Sequence, residues 1–250
     1  MKIRVLLPFV VLLFGCVTTE TGGIPKARSE DDRVKAHLDL ARGYLAKADI
    51  GRARRPLEQA LKIEPNSVEA NTLMGTVQQV EGDDRLAEES FKRAIRYGPD
   101  SAMARNNYGT FLYSKGRYDE ARKNLLIAVK DPSYSARSQA YENLGLTEVK
   151  LGLQDDAEKT FQRALMLSND QTRSMFELSE IYFAKGNYPV SKQYFDAYGK
   201  SGKSNARTLW LGIRLSRIFQ DQNGLASYAL ALKNLYPGSD EYKQYLESLQ

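Results

Sequence analysis

The residues best suited to acid–base chemistry in this chain are adjacent carboxylates: Asp83-Asp84, Glu88-Glu89 and Asp155-Asp156. Two neighbouring acids can divide the work of proton donor and proton acceptor. Little else reactive accompanies them. The 250 residues hold one histidine, His37, and one cysteine, Cys16. A single residue of each kind excludes a Cys/His zinc site, a paired Cys/His nucleophile, a triad built on any other histidine, and an intrachain disulfide. No phosphate-binding loop, nucleophile elbow or HExxH string is present. No catalytic residue, metal site or cofactor is therefore expected. The acid pairs recur where the second helix of a repeated unit begins, and acids there suit the N-cap and the helix dipole.

Cys16 has a different setting. Lys2 and Arg4 form a basic start, and Val5 to Phe14 is apolar apart from Pro8. About ten apolar residues are too few for a bilayer, which needs ~20, but they suit a signal peptide. The string Leu13-Phe14-Gly15-Cys16 follows, and it resembles the bacterial lipoprotein box, whose Cys is acylated and becomes the new N-terminus. That resemblance implies a signal peptide over 1–15, a covalent lipid on Cys16 as the chain's sole attached group, and, with Val17 rather than Asp after it, an outer-membrane lipoprotein facing the periplasm. More than one acyl chain gives stable anchoring. Loss of Lys2 and Arg4 reduces the formal charge of +5 to +3, so nucleic acid is not an expected partner. Residues 16–32 are polar, with Gly22-Gly23 and Pro25, and are read as a lipidated tether with a reach of about 20 Å.

From residue 33 to 250 one unit repeats. Ala53, Ala87 and Ala121 are 34 residues apart, as are Ala60, Ala94 and Ala128. A 36-residue step leads from Gly109 to Gly145 and from Ala121 to Ala157, the extra residues falling at Asp131 to Ser135; the 34-residue spacing then resumes. This is the tetratricopeptide period. The types agree: Met74-Gly75, Ala87, Phe91, Ala94 and Pro99 recur as Tyr108-Gly109, Ala121, Leu125, Ala128 and as Leu144-Gly145, Ala157, Phe161, Ala164. Repeats are placed near 34–67, 68–101, 102–137, 138–171, 172–204 and 205–238, with a cap over 239–250. The fifth is degenerate at Ser179 and Ser191, and the sixth has its second helix out of strict register. The expected fold is all-α: an α-solenoid superhelix of about six helix-turn-helix repeats with a C-terminal capping helix.

In this architecture the first helix of each pair lines the concave groove. The inner positions, taken by offset, are Leu38, Arg42 and Leu45; Thr72, Thr76 and Gln79; Asn106, Thr110 and Tyr113; Glu142, Leu146 and Val149; and Phe176, Glu180 and Phe183. The first twelve form the expected partner-binding groove, apolar and aromatic with scattered amides and hydroxyls, fit for an extended or helical peptide. A carboxylate clamp of the Lys/Asn/Arg kind is not expected, since its positions hold Leu38, Leu73 and Gln139. Arg52, Arg54 and Arg55, the densest basic cluster, are read as a solvated face. His37 is read as a packing residue, and Trp210 as buried in the sixth unit.

Four strings exceed what the repeat demands or match one family closely: NNYGTFLYSKGRYDEA from Asn106, YENLGL from Tyr141, NARTLWLGIRLSRIF from Asn205 and LKNLYPGSDEY from Leu232. With the lipoprotein box, they resemble the type IV pilus pilotin lipoproteins, the PilF/PilW family, over the whole mature chain. The resemblance implies a non-enzymatic, monomeric scaffold, held at the outer membrane by its lipid, that binds the pilus secretin and promotes its targeting and multimerisation. No small-molecule substrate is implied. Two other tetratricopeptide lipoprotein roles remain open on sequence alone: a member of the β-barrel assembly machinery, and an adaptor for cell-wall hydrolases.

Overall fold

The computed structural model describes residues 29–250; the leader, Cys16 and the tether as far as residue 28 lie outside them. Thirteen α-helices and no strand occur among the described residues. They run as six antiparallel pairs: α1 (Glu30–Ala46) with α2 (Ile50–Ile63), α3 (Val68–Val80) with α4 (Asp84–Tyr97), α5 (Ala102–Ser114) with α6 (Tyr118–Ala128), α7 (Arg137–Lys150) with α8 (Gln154–Leu167), α9 (Thr172–Ala184) with α10 (Tyr188–Gly199), and α11 (Ala206–Ile218) with α12 (Gln222–Leu235). A last helix, α13 (Asp240–Glu247), packs on α11 and α12. The α-solenoid expected from the 34-residue period is the fold observed.

The small residues mark where paired helices touch. Ala53, Ala87, Ala121 and Ala157, one in each of α2, α4, α6 and α8, are wholly buried, as are Ala60, Ala94, Ala128 and Ala164 one turn or two further on. In the second, third and fourth pairs glycine stands opposite the large residue of the partner helix, where a side chain has no room. A Cβ on Gly145 would lie 2.6 Å from the Phe161 ring, and one on Gly109 would lie 2.7 Å from Leu125. The fifth pair meets the same approach differently: Ser179 Oγ donates to the Ser191 carbonyl at 2.8 Å, and Ser191 Oγ donates to the Ser179 carbonyl at 2.7 Å. Its two departures from the pattern are thus one reciprocal contact. The sixth pair keeps the 34-residue step in its helix starts, 188 to 222, while its Gly212–Tyr228 contact falls one residue early. The side-chain pattern shifts, and the helix does not.

The turn inside each pair is a single left-handed residue. Gly82, Gly116, Gly152 and Gly186 have φ between 73° and 86°, and the equivalent residues of the first and last pairs are Ala48 and Gln220, both at φ 55°. The residue then closes the helix through a backbone bond from the next amide, as Arg117 N–H does to the Leu112 carbonyl at 3.0 Å.

Two sequence expectations need correction. Residues 30–32 belong to α1, not to a tether. Ser29 Oγ accepts the Asp32 amide at 3.1 Å, and Glu30, Asp31 and Asp32 fill the first turn, where three acids meet the positive end of the dipole. Asp84, Asp155 and Asp156 do stand in the first turns of α4 and α8, as the dipole favours, but the pairs do not cap by side chain: the N-cap positions are Asp83, without a side-chain bond, and Leu153. Asp84, Asp155 and Asp156 instead reach basic residues elsewhere: Asp84 to Lys115 of the turn after α5, Asp155 to Lys185 of the turn after α9, and Asp156 back to Arg122 of α6.

Curvature follows from which helices touch. Each first helix from α1 to α7 packs on its successor, α3, α5, α7 or α9, whereas successive second helices stand apart. The array therefore bends with the first helices inside. Between α9 and α11 the backbones separate, and side chains bridge the gap.

Candidate partner-binding groove

The inner surface is held together by polar side chains that pass from one first helix to the next. Arg42 of α1 pairs with Glu69 of α3 and with Asp39 of its own helix. Gln79 of α3 donates to Ser114 of α5 at 3.4 Å, and Asn143 of α7 donates to Asn106 of α5 at 3.1 Å. Glu142 of α7 accepts both the amide and the hydroxyl of Ser174 in α9, each at 3.0 Å. Arg207 and Arg214 of α11 donate to Glu177 and Glu180 of α9 at 2.8 Å.

This ladder sorts the residues that the repeat register places in the groove. Leu38, Thr72, Asn106 and Glu142 are buried, as is Phe176, so these five are not exposed contacts. The correction has one cause: they stand at the first of the three inner positions, which the neighbouring first helix covers. Thr72 spends its hydroxyl on the Val68 carbonyl at 2.7 Å. Arg42 and Thr110 are exposed, while Leu45, Thr76, Gln79, Tyr113, Leu146 and Val149 are half-buried, as are Glu180 and Phe183. Among these, Leu45, Tyr113, Leu146 and Val149 present carbon surface with no polar tie across the ladder. Tyr113 packs edge-on to Tyr118 with ring centroids 5.4 Å apart, and burial pushes its phenol pKa up.

At the C-terminal end the groove deepens to a cavity of about 490 Å³, lined by Val149, Glu180, Arg207, Trp210, Arg214 and Glu241 among others. The Arg214 guanidinium stacks over Phe183 at 4.5 Å and over Trp210 at 5.6 Å, and its Nε has no hydrogen-bond partner. Arg207 lies over Phe176 at 4.9 Å; burial acts to lower its pKa, but bonding to Glu177 outweighs this and raises it. Trp210 is half-buried rather than enclosed, with Tyr245 of α13 against its edge at 6.4 Å. Trp210, Arg214 and Arg217 sit 34 residues after Phe176, Glu180 and Phe183. The same offset would have found them; the blurred side-chain pattern of the sixth repeat concealed it.

The outer face differs. Arg52 pairs with Asp49 and lies over Tyr44 at 5.1 Å yet stays exposed, as does Arg55, so the solvated face expected of the cluster is found at both; Arg54 is half-buried and bridges to Glu81 at the end of α3. His37 is half-buried and lines an outer cleft of about 640 Å³ with Tyr44 and Arg55. No group of three metal-ligating side chains, and no helix long and apolar enough to cross a membrane, occurs among the described residues.

The tetratricopeptide repeat family model matches residues 72–136 and 113–174. The type IV pilus assembly protein PilF of Pseudomonas aeruginosa is 36% identical over 248 residues, covering 98% of each chain. A solved structure of Pseudomonas aeruginosa PilF superposes with a TM-score of 0.85 at 37% identity, over 88% of this chain and all of that one. The crystal structure of PilW, a widely conserved type IV pilus biogenesis factor, superposes with a TM-score of 0.71 at 27% identity, over 85% of this chain and 98% of that one.

Proposed function

This chain belongs to the PilF family of type IV pilus assembly proteins, and we propose that it is an outer-membrane lipoprotein, anchored through Cys16, that binds the type IV pilus secretin and promotes its targeting and multimerisation. The observation that carries this reading is similarity to PilF over 98% of both chains. The role is that of a non-enzymatic scaffold. What the groove offers is consistent with it: carbon anchors on a rigid wall, separated by polar groups already satisfied by their neighbours. Leu45, Tyr113 and Leu146 come from α1, α5 and α7 and so fit one extended segment of the secretin. Anchors of this type commonly carry 2 kcal/mol or more each.

The test is secretin binding and assembly. Cys16→Ser should remove the protein from the outer membrane in fractionation and abolish palmitate labelling. Leu45→Glu and Tyr113→Ala should each weaken secretin binding tenfold or more, about 1.4 kcal/mol, with unchanged helicity, while Lys62→Ala on the outer face of α2 binds normally. Normal binding by both groove variants would move the site off the concave face. Undiminished secretin multimers at the outer membrane in cells lacking the protein would overturn the function itself.

A further inference from the structure

A second groove lies on the opposite, outer face, between α6 and α8, with α7 as its floor. Its volume is about 460 Å³, and its lining includes Leu126, Lys130, Arg137, Tyr141, Glu148 and Lys159. At the neighbouring junctions the floor residue is tied to an outer helix. Gln78 accepts from Ser90 at 2.7 Å, Tyr108 donates to Glu88 at 3.0 Å, and Tyr182 donates to Glu158 at 2.7 Å. At this junction the register of Tyr108 holds Leu144 and that of Tyr182 holds Glu148, which is tied to Arg122 of α6 through one oxygen only, and the repeat step is two residues longer. Arg137 is turned back to the Val129 carbonyl at 2.8 Å, which pins the longer loop.

The groove carries three features that one ligand class answers together. Glu148 is 2% exposed; its Oε1 accepts from Arg122 at 3.1 Å, and its Oε2 has the Thr160 hydroxyl nearby but no partner in good hydrogen-bond geometry. A carboxylate oxygen without a donor in such a place is costly and rare in proteins. Burial pushes its pKa up, against the opposing pull of the Thr160 hydroxyl and Arg122. At the rim, Lys130, Arg137 and Lys159 have no carboxylate within ion-pair distance among the described residues, while Asp156, the more exposed acid of the lining, is neutralised by Arg122, which also holds Glu148. Between floor and rim, Leu126 is 37% exposed and Tyr141 is half-buried beneath the Arg137 guanidinium at 5.6 Å.

We propose that this outer groove is a second docking site, which takes a short acidic segment of a partner polypeptide. The partner's carboxylates meet Lys130, Arg137 and Lys159. An apolar side chain lies on Leu126 and Tyr141. A backbone or side-chain N–H supplies the donor that Glu148 lacks. A peptide brings acid, carbon and N–H in one strand, and the cavity lies within the usual range for a ligand site, ~300–1,000 Å³. The site shares no residue with the concave groove, so the protein can hold two chains at once or two segments of one.

The probe is a fluorescein-labelled hexapeptide, Glu-Phe-Asp-Leu-Glu-Asp, titrated with the full-length protein in detergent and followed by anisotropy. Saturable binding is expected, with at least tenfold weakening in the Lys130→Glu/Lys159→Glu double variant and in Leu126→Asp. The amide counterpart, with Gln and Asn for the acids, should bind at least tenfold more weakly. Lys62→Glu and Tyr113→Ala should bind the probe as wild type does. Unaltered circular dichroism and melting temperature of the double variant show that folding is not the cause of its loss. The proposal fails if the probe does not saturate, if the amide peptide binds equally, or if Tyr113→Ala abolishes binding while the double variant does not. It also fails if phosphatidylglycerol vesicles, rather than peptide, bind in a Lys130- and Lys159-dependent way, which would make the rim a membrane contact.

Discussion

Substituting Gly145 with alanine tests the idea that glycine is kept at the helix crossing for space alone. The added methyl would lie 2.6, 2.7 and 2.8 Å from three atoms of the Phe161 ring, which is itself wholly buried. Ordinary carbon contacts lie at about 3.5–4.0 Å, so α7 and α8 must part by close to 1 Å or the ring must leave its packing against Ala157, Leu178 and Ile181. Overpacking of this kind costs about 1–3 kcal/mol. Alanine recovers up to about 1 kcal/mol of helix propensity, leaving a net loss of about 0–2 kcal/mol. Gly43 supplies the reference, because a Cβ there meets nothing within 4 Å. Gly43→Ala should therefore show only the propensity gain, about 0.5–1 kcal/mol. The gap between the two variants is then about 1–3 kcal/mol, or several degrees in melting temperature for a domain of this size. Urea titrations followed by circular dichroism give the comparison directly. If Gly145→Ala matches Gly43→Ala in stability, the crossing is not space-limited and the account of the repeat pattern is wrong.

Further outcomes follow from single features. Gln220→Gly should stabilise slightly by relieving a left-handed residue, and Gly116→Ala, at φ 73° with open space around it, should cost about 1 kcal/mol in a thermal melt. Ser179→Ala and Ser191→Ala should each cost about 1 kcal/mol by removing one of the two hydroxyl-to-carbonyl bonds, and Ser179→Ala/Ser191→Ala about the sum, with any coupling through the Oγ–Oγ contact read from the double-mutant cycle. Burial would raise the Glu88 carboxyl, but hydrogen bonds from Lys92, Arg117 and Tyr108 bring it down to about 2 from 4.5. The lowered value stabilises the fold fully above about pH 4.5, and this contribution is lost as the pH falls toward 2. Glu88→Gln should remove on the order of 2 kcal/mol at pH 7 and flatten the acid limb of the stability curve, allowing for partial solvent screening.

The repeat was legible because its constraints are short-range and recur. Helix starts and stops at Pro65, Pro99, Gly116 and Gly186 stand in the sequence as fixed offsets, and the helices end within a few residues of them. What the sequence did not disclose was pairing between repeats. Nothing local tells that Asp155 will meet Lys185 or that Glu88 will gather Tyr108 and Arg117, since each contact depends on the angle at which one pair stacks on the next. The same dependence hid the burial of Leu38, Thr72, Asn106 and Glu142. Periodicity places a side chain on the inner face, but only the separation of neighbouring first helices decides whether it is open or covered.

That separation gives the groove residues two unlike duties. Arg42, Gln79, Asn106 and Glu142 tie each first helix to the next, so their loss would change the pitch of the superhelix along with any surface they offer. Leu45, Tyr113 and Leu146 make no such polar tie; each is half-buried, with one side against the core and the other open to the groove. A ladder substitution such as Glu142→Gln should therefore lower stability and partner affinity together. Tyr113→Ala should lower affinity by far more than it lowers stability. If instead Glu142→Gln leaves both unchanged while Tyr113→Ala melts several degrees early, the ladder is incidental and the aromatic is a core residue, and the division of labour drawn from the hydrogen bonds does not hold.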